Sequence, residues 1–294
     1  YGKMEGYIWK LDLNGNLMWQ NTYGGAEDDE FKSFVLTYNN QYAFAGTTKS
    51  MGDVKGDAWL VKTGLAGDSV FSYKYGTANK KQFFNDIKQN PNNNNFYLSG
   101  GYDSLGVDST WAMILILDQN GVYQSKDIHS YHEQKDEQYI SHAHAKNNEC
   151  YYIRKSINTS NDSRAEPIIA IFTDNNYVAN TKYGSLDDDE LFCIQKTKYK
   201  GFICVGYTKG LGANLSDVFL VKLDSNSLLG APSVIGIKEN KIPLDKFSVY
   251  PTITKNDVNI HNPTNSDKGI IYLTDAMGKV ILRKELNQEH TILN

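Results

Sequence analysis

Four histidines fall within a short stretch: His129, His132, His142 and His144. On a β-strand His142 and His144 point to one face, because successive side chains alternate. Together with His132 or Glu133 they would make a donor set suited to a transition metal. The competing expectation is a polar, half-exposed strand of a diverged repeat flanking an edge loop. Two carboxylate quartets stand out as well: Glu27, Asp28, Asp29 and Glu30, then Asp187, Asp188, Asp189 and Glu190. Clustered carboxylates suit calcium; beyond that option no cofactor is expected for these loops. Both quartets recur at the same place in a repeat, however, which favours a scaffold role in which Asp accepts backbone N–H bonds in a loop. Asp12-Leu13-Asn14-Gly15-Asn16 opens like a calcium loop but lacks the closing bidentate Glu, so a hairpin turn is expected there.

No other catalytic motif is visible. The sequence has no nucleophile elbow, phosphate-binding loop, zinc-protease motif or sialidase-type Asp box. Glycosidase chemistry needs two carboxylates facing each other across a cleft, which spacing alone does not reveal. Tyr and Trp at loop ends could stack on sugar rings, although many of these aromatics fall in strands, where packing explains them. Net charge is −4, and Lys and Arg are scattered rather than clustered. That pattern argues against nucleic-acid binding. The longest apolar run is Trp111-Ala112-Met113-Ile114-Leu115-Ile116-Leu117. A membrane-spanning helix needs about 20 such residues, so no transmembrane segment is expected.

The elements that must position these residues announce themselves by repetition. Asp57-Ala58-Trp59-Leu60-Val61-Lys62 matches Gly6-Tyr7-Ile8-Trp9-Lys10-Leu11 and Asp217-Val218-Phe219-Leu220-Val221-Lys222. Weaker copies begin at Trp111 and Ile168. The anchors Trp9, Trp59, Trp111, Ile169 and Phe219 are spaced by 50, 52, 58 and 50 residues. After each anchor strand comes an Asn- or Gly-bearing turn such as Gln119-Asn120-Gly121. A second strand then ends in Tyr-Gly, at Tyr23-Gly24, Tyr75-Gly76 and Tyr183-Gly184. An acidic loop, a third strand and a fourth strand ending in Gly follow, as in Tyr42-Ala43-Phe44-Ala45-Gly46. Asn and Gly accept the positive φ of tight hairpin turns.

Four short strands per roughly 50 residues is the pattern of a propeller blade. The anchor strand is apolar on both sides, as expected of a strand between two neighbouring sheets. The fold expected is therefore all-β. Residues 1–229 form a β-propeller array of about four and a half four-stranded blades, 230–246 a linker, and 247–294 a partial small Ig-like β-sandwich. Only Tyr1 to Glu5 precede the first anchor strand, so further upstream sequence is expected to complete the array. Three cysteines, Cys150, Cys193 and Cys204, are too few for a disulfide scaffold. In a simple hairpin register Cys193 and Cys204 face each other, allowing a strained disulfide or two buried free thiols, the latter preferred.

The last segment changes pattern. Phe247-Ser248-Val249-Tyr250-Pro251 is followed by Tyr272-Leu273-Thr274-Asp275-Ala276-Met277-Gly278-Lys279-Val280. This ordered pair of motifs resembles the C-terminal sorting domain of proteins exported by the type IX secretion system of Bacteroidetes. Its carriers here are Phe247, Tyr250, Pro251, Asp275, Gly278 and Lys279. Thr252-Ile253 replace the family's Asn-Pro, and the family continues for about two strands beyond Asn294. The resemblance implies passage through the periplasm, contact with the secretion machinery, and a product that is released or held on the outer cell surface. It also implies cleavage in the linker near 229–246.

The function expected is thus a secreted or surface-displayed binding or adhesion module with a glycan or protein ligand and no evident catalytic site. The alternative is a secreted propeller enzyme acting on polysaccharide, or a metal-dependent one using His129 to His144.

Overall fold

The computed structural model describes residues 3–103, 110–129, 135–145, 149–158, 162–174, 176–198, 201–211, 216–223, 233–234, 248–250, 258–261, 269–274, 280–286 and 290–293. The chain divides into two compact units, Tyr1–Gly236 and Ile237–Asn294. No helix occurs among the described residues, and hence none long and apolar enough to cross a membrane.

The first unit opens with a two-stranded sheet, β1 (Gly6–Leu11) and β2 (Leu17–Tyr23). Four antiparallel four-stranded sheets follow, each using consecutive strands in spatial order. The first contains β3 (Asp29–Leu36), β4 (Tyr42–Thr48), β5 (Asp57–Thr63) and β6 (Ser69–Tyr75). The second contains β7 (Gln82–Gln89), β8 (Phe96–Asp103), β9 (Thr110–Leu117) and β10 (Tyr123–His129). The third contains β11 (Lys135–His144), β12 (Glu149–Asn158), β13 (Asp162–Thr173) and β14 (Asn176–Lys182). The fourth contains β15 (Asp189–Lys196), β16 (Phe202–Thr208), β17 (Asp217–Leu223) and β18 (Ser233–Val234).

The phase of the repeat differs from the sequence expectation. The anchor strand is third in each four-stranded sheet, and the sheet begins after the Tyr-Gly loop. Strand β18 also lies inside the stretch expected to be linker. The reason is hydrogen-bonded pairing: the Tyr-Gly loop passes from one sheet to the next, whereas the other connections are hairpins within a sheet.

Each core lies between two successive sheets. Strand β9 shows why its sequence is a continuous apolar run. Met113, Leu115 and Leu117 pack with Ala43, Leu60, Phe84 and Leu98 on one side. Ala112, Ile114 and Ile116 pack with Tyr139, Tyr152 and Phe172 on the other. A strand buried on both faces has no polar alternation. A third cluster joins Tyr151, Ile153 and Ile169 to Leu191, Phe202 and Val221 of the next sheet. Strand β1 departs from the anchor pattern: Tyr7 and Trp9 are exposed, and among the described residues β1 pairs with β2 alone.

The first strand of every four-stranded sheet carries the same irregularity. The register slips between Phe31 and Ser33, Phe84 and Asp86, Tyr139 and Ser141, and Leu191 and Cys193. A bulge bends the strand and brings its backbone against the partner. Opposite it stand Gly46, Gly100 and Gly206, where a Cβ would lie 1.9, 1.9 and 1.7 Å from a carbonyl oxygen of the first strand. The third sheet places Arg154 opposite Tyr139 instead.

That slip also corrects the cysteine expectation. Cys193 pairs with Val205, while Cys204 pairs with Ile194. The two residues therefore belong to different cross-strand pairs, on opposite faces of the hairpin. All three cysteines are free; Cys150 and Cys204 are buried, whereas Cys193 is only half-buried.

The second unit contains β19 (Ser248–Tyr250), β20 (Val258–His261), β21 (Gly269–Thr274), β22 (Val280–Leu286) and β23 (His290–Leu293). They form a three-stranded sheet, β19-β20-β23, and a two-stranded one, β21-β22.

Candidate functional site

The acidic loops brace the connections between sheets. Asp29 is buried and accepts from Gly25 N at 2.8 Å, Thr48 Oγ1 at 2.5 Å and Ser50 Oγ at 2.6 Å. Burial works to raise its carboxyl. The hydrogen bonds from Ser50, Thr48 and Gly25 outweigh that and hold it below the ordinary range. Asp189 repeats the arrangement, accepting from the backbone and hydroxyl of Ser185. Asp28 pairs with Lys49 at 3.0 Å and Asp188 with Lys209 at 2.8 Å. Glu30 faces Lys32 and Glu190 faces Lys155, and Glu27 N bonds Ser50 Oγ. Asp187 is exposed, and its N–H also bonds Ser185 Oγ. These carboxylates are thus spread over loop and ion-pair contacts, some within one sheet and some to the preceding sheet, where Glu190 meets Lys155 of β12 and Asp188 accepts from Ala165 N of β13. Asp12 likewise accepts from Asn14 N and Asn16 N, closing the turn between β1 and β2.

The histidine stretch behaves differently. His132 lies outside the described residues, and the side chain of His129, at the end of β10, does too. His142 and His144 are described, and they sit inside the molecule rather than on a half-exposed edge. His142 is fully buried, and both ring nitrogens of His144 are shielded from solvent. On the adjacent strand Cys150 pairs with His144 and Tyr152 with His142. His142 stacks on Tyr152, with ring centroids 5.0 Å apart. His144 meets Tyr97 of the preceding sheet edge-on at 4.7 Å.

Asp86, from β7, reaches across to this pair. Its carboxylate accepts from Ser33 Oγ at 2.7 Å, Ser141 Oγ at 3.1 Å and His142 N at 3.0 Å. Lys88 Nζ lies 2.6 Å away and His142 Nδ1 3.5 Å away. Burial works to raise the Asp86 carboxyl; the neighbouring His142 and Lys88 and the Ser33 hydroxyl hold it below its ordinary value. Ser33, Asp86 and Ser141 follow the bulge in three successive sheets, so one polar ladder links three first strands.

Ser99, His142 and Asp86 have the composition of a hydrolytic triad but not its geometry. Ser99 Oγ lies 3.0 Å from Nδ1, the same nitrogen that faces Asp86. A triad needs the two partners on opposite ring nitrogens. Ser99 is also completely buried.

Burial lowers His142 to about 3, against the opposing pull of Asp86 and of a backbone contact with Tyr97. Burial lowers His144 to about 4. It pushes the Cys150 thiol up to about 12. Among the described residues, one group of His, Cys, Asp and Glu side chains converges closely enough to share an ion: His142, His144 and Cys150, with ligand atoms within 4.8 Å of one another. Asp86, Ser99 and Cys150 escaped the sequence reasoning because they come from three strands in two sheets. The signal for Cys150 was its place in the repeat, where the other four-stranded sheets carry Tyr42, Phe96 and Phe202.

An open groove of about 420 Å³ lies between β1–β2 and the first four-stranded sheet, lined by Tyr7, Trp9, Trp19, Phe34, Tyr42 and Phe44 among others. Trp9 is 60% and Phe34 62% exposed. Lys10 lies over the Tyr42 ring at 5.6 Å.

Of the residues carrying the sorting resemblance, Phe247, Pro251, Asp275, Gly278 and Lys279 lie outside the described residues. Tyr250 ends β19, and its side chain is outside them as well. No protein-family model matches the chain, and no curated protein matches it.

Proposed function

We propose that the first unit is a run of β-propeller blades serving as a secreted or surface-displayed binding module, and that the second is an Ig-like sorting domain recognised by the type IX secretion machinery. Consecutive four-stranded meanders, with a hydrophobic core between each successive pair, support the propeller assignment. Two small antiparallel sheets in the second unit are compatible with a sandwich. The motifs at 247–251 and 272–280 support the export route.

The observation offered for the binding role is the aromatic lining of the groove beside β1, on the condition that the upstream strands expected to complete this sheet leave it open. Exposed Tyr and Trp faces suit sugar rings, which present C–H edges to an aromatic surface. The ligand class proposed is a glycan. Catalytic use of the histidines has less support, because His142 has no exposed surface from which to meet a substrate.

Tryptophan fluorescence of the intact chain, titrated with soluble polysaccharides, tests the ligand class. Saturable quenching that disappears in Trp9→Ala is the expected result. Trp9 inaccessible to acrylamide, or emission unmoved by any glycan, would count against the groove. For export, the secreted product of the native host is weighed by intact mass beside a strain lacking 247–294. Loss of secretion in the truncated strain, with a wild-type product ending near 229–246, is expected. Unchanged export and an uncleaved tail would end the sorting proposal.

A further inference from the structure

The third sheet departs from its neighbours at the positions that form the His–Cys cluster. His142 pairs with Tyr152 in the register slot that holds Phe34 opposite Phe44, Ile87 opposite Leu98 and Ile194 opposite Cys204. Cys150 occupies the slot of Tyr42, Phe96 and Phe202. An imidazole thus replaces an apolar side chain, and a small thiol replaces an aromatic ring. Neither exchange serves packing: a buried imidazole needs hydrogen-bond partners, and the smaller side chain leaves room unfilled.

Both consequences are visible. His142 Nε2 and both nitrogens of His144 are buried without a hydrogen-bond partner. Beside Cys150 lies a cavity of about 110 Å³, lined on the inner side by Tyr97, Tyr152 and Phe172. A water molecule needs only about 10–15 Å³ of such space. Ser125, Lys126 and Asp127 line the other side, where Lys126 is exposed, so the cavity has a route to solvent.

We propose that His142 Nε2, a ring nitrogen of His144 and Cys150 Sγ bind one borderline-soft divalent metal ion, zinc in the first instance, with water from the cavity as fourth ligand. Two imidazoles and a thiolate are a zinc donor set, and three protein ligands plus water leave one open position. On binding, the Cys150 S–H bond breaks, a sulfur–metal bond forms, and the proton leaves to solvent. Asp86 is the outer-shell carboxylate: it lies 3.5 Å from His142 Nδ1 and fixes the ring with Nε2 directed away from it. Tetrahedral bonds of about 2.0–2.3 Å set ligand atoms roughly 3.5 Å apart. The trio must therefore draw in from its present 4.8 Å limit. His144 can turn, since no hydrogen bond holds its ring.

Cobalt(II) is the probe, added to the intact chain under reducing conditions. One equivalent is expected to give tetrahedral d–d bands and a thiolate-to-cobalt charge-transfer absorption, both bleached by zinc. Cys150→Ser should abolish the charge-transfer band, and His144→Gln should weaken binding at least tenfold. Cys193→Ser and His132→Gln should leave the spectrum unchanged. Circular dichroism and a cooperative melt establish that each variant is folded; His144→Gln stands as the second probe should Cys150→Ser fail to fold. No thiolate band in the wild type overturns the proposal. So does a band that survives both variants, or one that is lost with Cys193 or His132 instead.

Discussion

Tyr75 donates its phenol hydroxyl to the carbonyl of Gly121, 2.7 Å away in the turn of the next sheet, and Tyr23 does the same to Gly67 at 2.5 Å. Lys62 Nζ reaches Gln119 O at 3.0 Å, and Lys10 Nζ reaches Leu65 O at 3.1 Å. The two most visible signatures of the repeat, Tyr-Gly and the anchor-strand Lys, are therefore the donors by which one sheet holds the following hairpin turn.

Replacing Tyr75 by Phe removes this donor from a part-buried site and leaves the Gly121 carbonyl without it. A loss of about 1–2 kcal/mol is expected, read as a lower urea midpoint at unchanged slope. Gly121→Ala should cost at least as much. Its φ is +82°, and a Cβ would meet the Tyr73 ring at 2.8 Å. Equal midpoints for Tyr75→Phe and wild type would remove the inter-sheet bond from the account of stability.

The bulge glycines make a sharper case. Gly46→Ala and Gly206→Ala drive a Cβ into the carbonyl oxygens of Glu30 and Glu190. Backbone must move, so destabilisation of about 1–3 kcal/mol or more is expected. Thermal melts check it. An alanine variant that melts with the wild type would mean that the two strands are not in such close approach.

Asp29 carries a pH dependence of known sign. Its folded-state value lies below the ordinary aspartate value of 3.8. Its contribution is therefore present above that value and is lost as pH falls through the folded value. Wild-type stability should drop on acidification below about pH 4. Asp29→Asn should be less stable at neutral pH and lose less over the acid range. Parallel curves for the two proteins would show that Asp29 is not the linked group.

Thiol reactivity separates the cysteines. Burial pushes Cys150 and Cys204 up to about 12, while Cys193 is half-buried. In the native protein one thiol should react quickly with a disulfide reagent and two slowly; in urea all three should react together. Three fast thiols in the folded state would contradict the packing around β12 and β16.

Much of the first unit was legible from the chain. Trp9, Trp59 and Trp111 mark anchor strands, and Asp12 with Gly15, like Asp118 with Gly121, marks the turns that follow. These are local signals: side-chain alternation and positive-φ turn residues act within a few positions. The acidic quartets were legible as loops only in part: Glu27, Asp28, Asp187 and Asp188 precede the strands, whereas Asp29 with Glu30 open β3 and Asp189 with Glu190 open β15. Their partners Lys49, Ser50 and Lys209 were not legible, since each sits about twenty residues away across a hairpin.

The sequence by itself determined the strands, the turns and the period, because those depend on neighbours along the chain. The tertiary structure decided where each sheet begins, which face each residue takes, and what meets in the core. The reason is register. A one-residue slip reverses every side chain beyond it, and each first strand makes such a slip at its bulge. Beyond the bulge between Tyr139 and Ser141, His142 pairs with Tyr152 and His144 with Cys150. Pairing in register, together with the stacking of one sheet on the next, brought Asp86, two histidines and a thiol into one place.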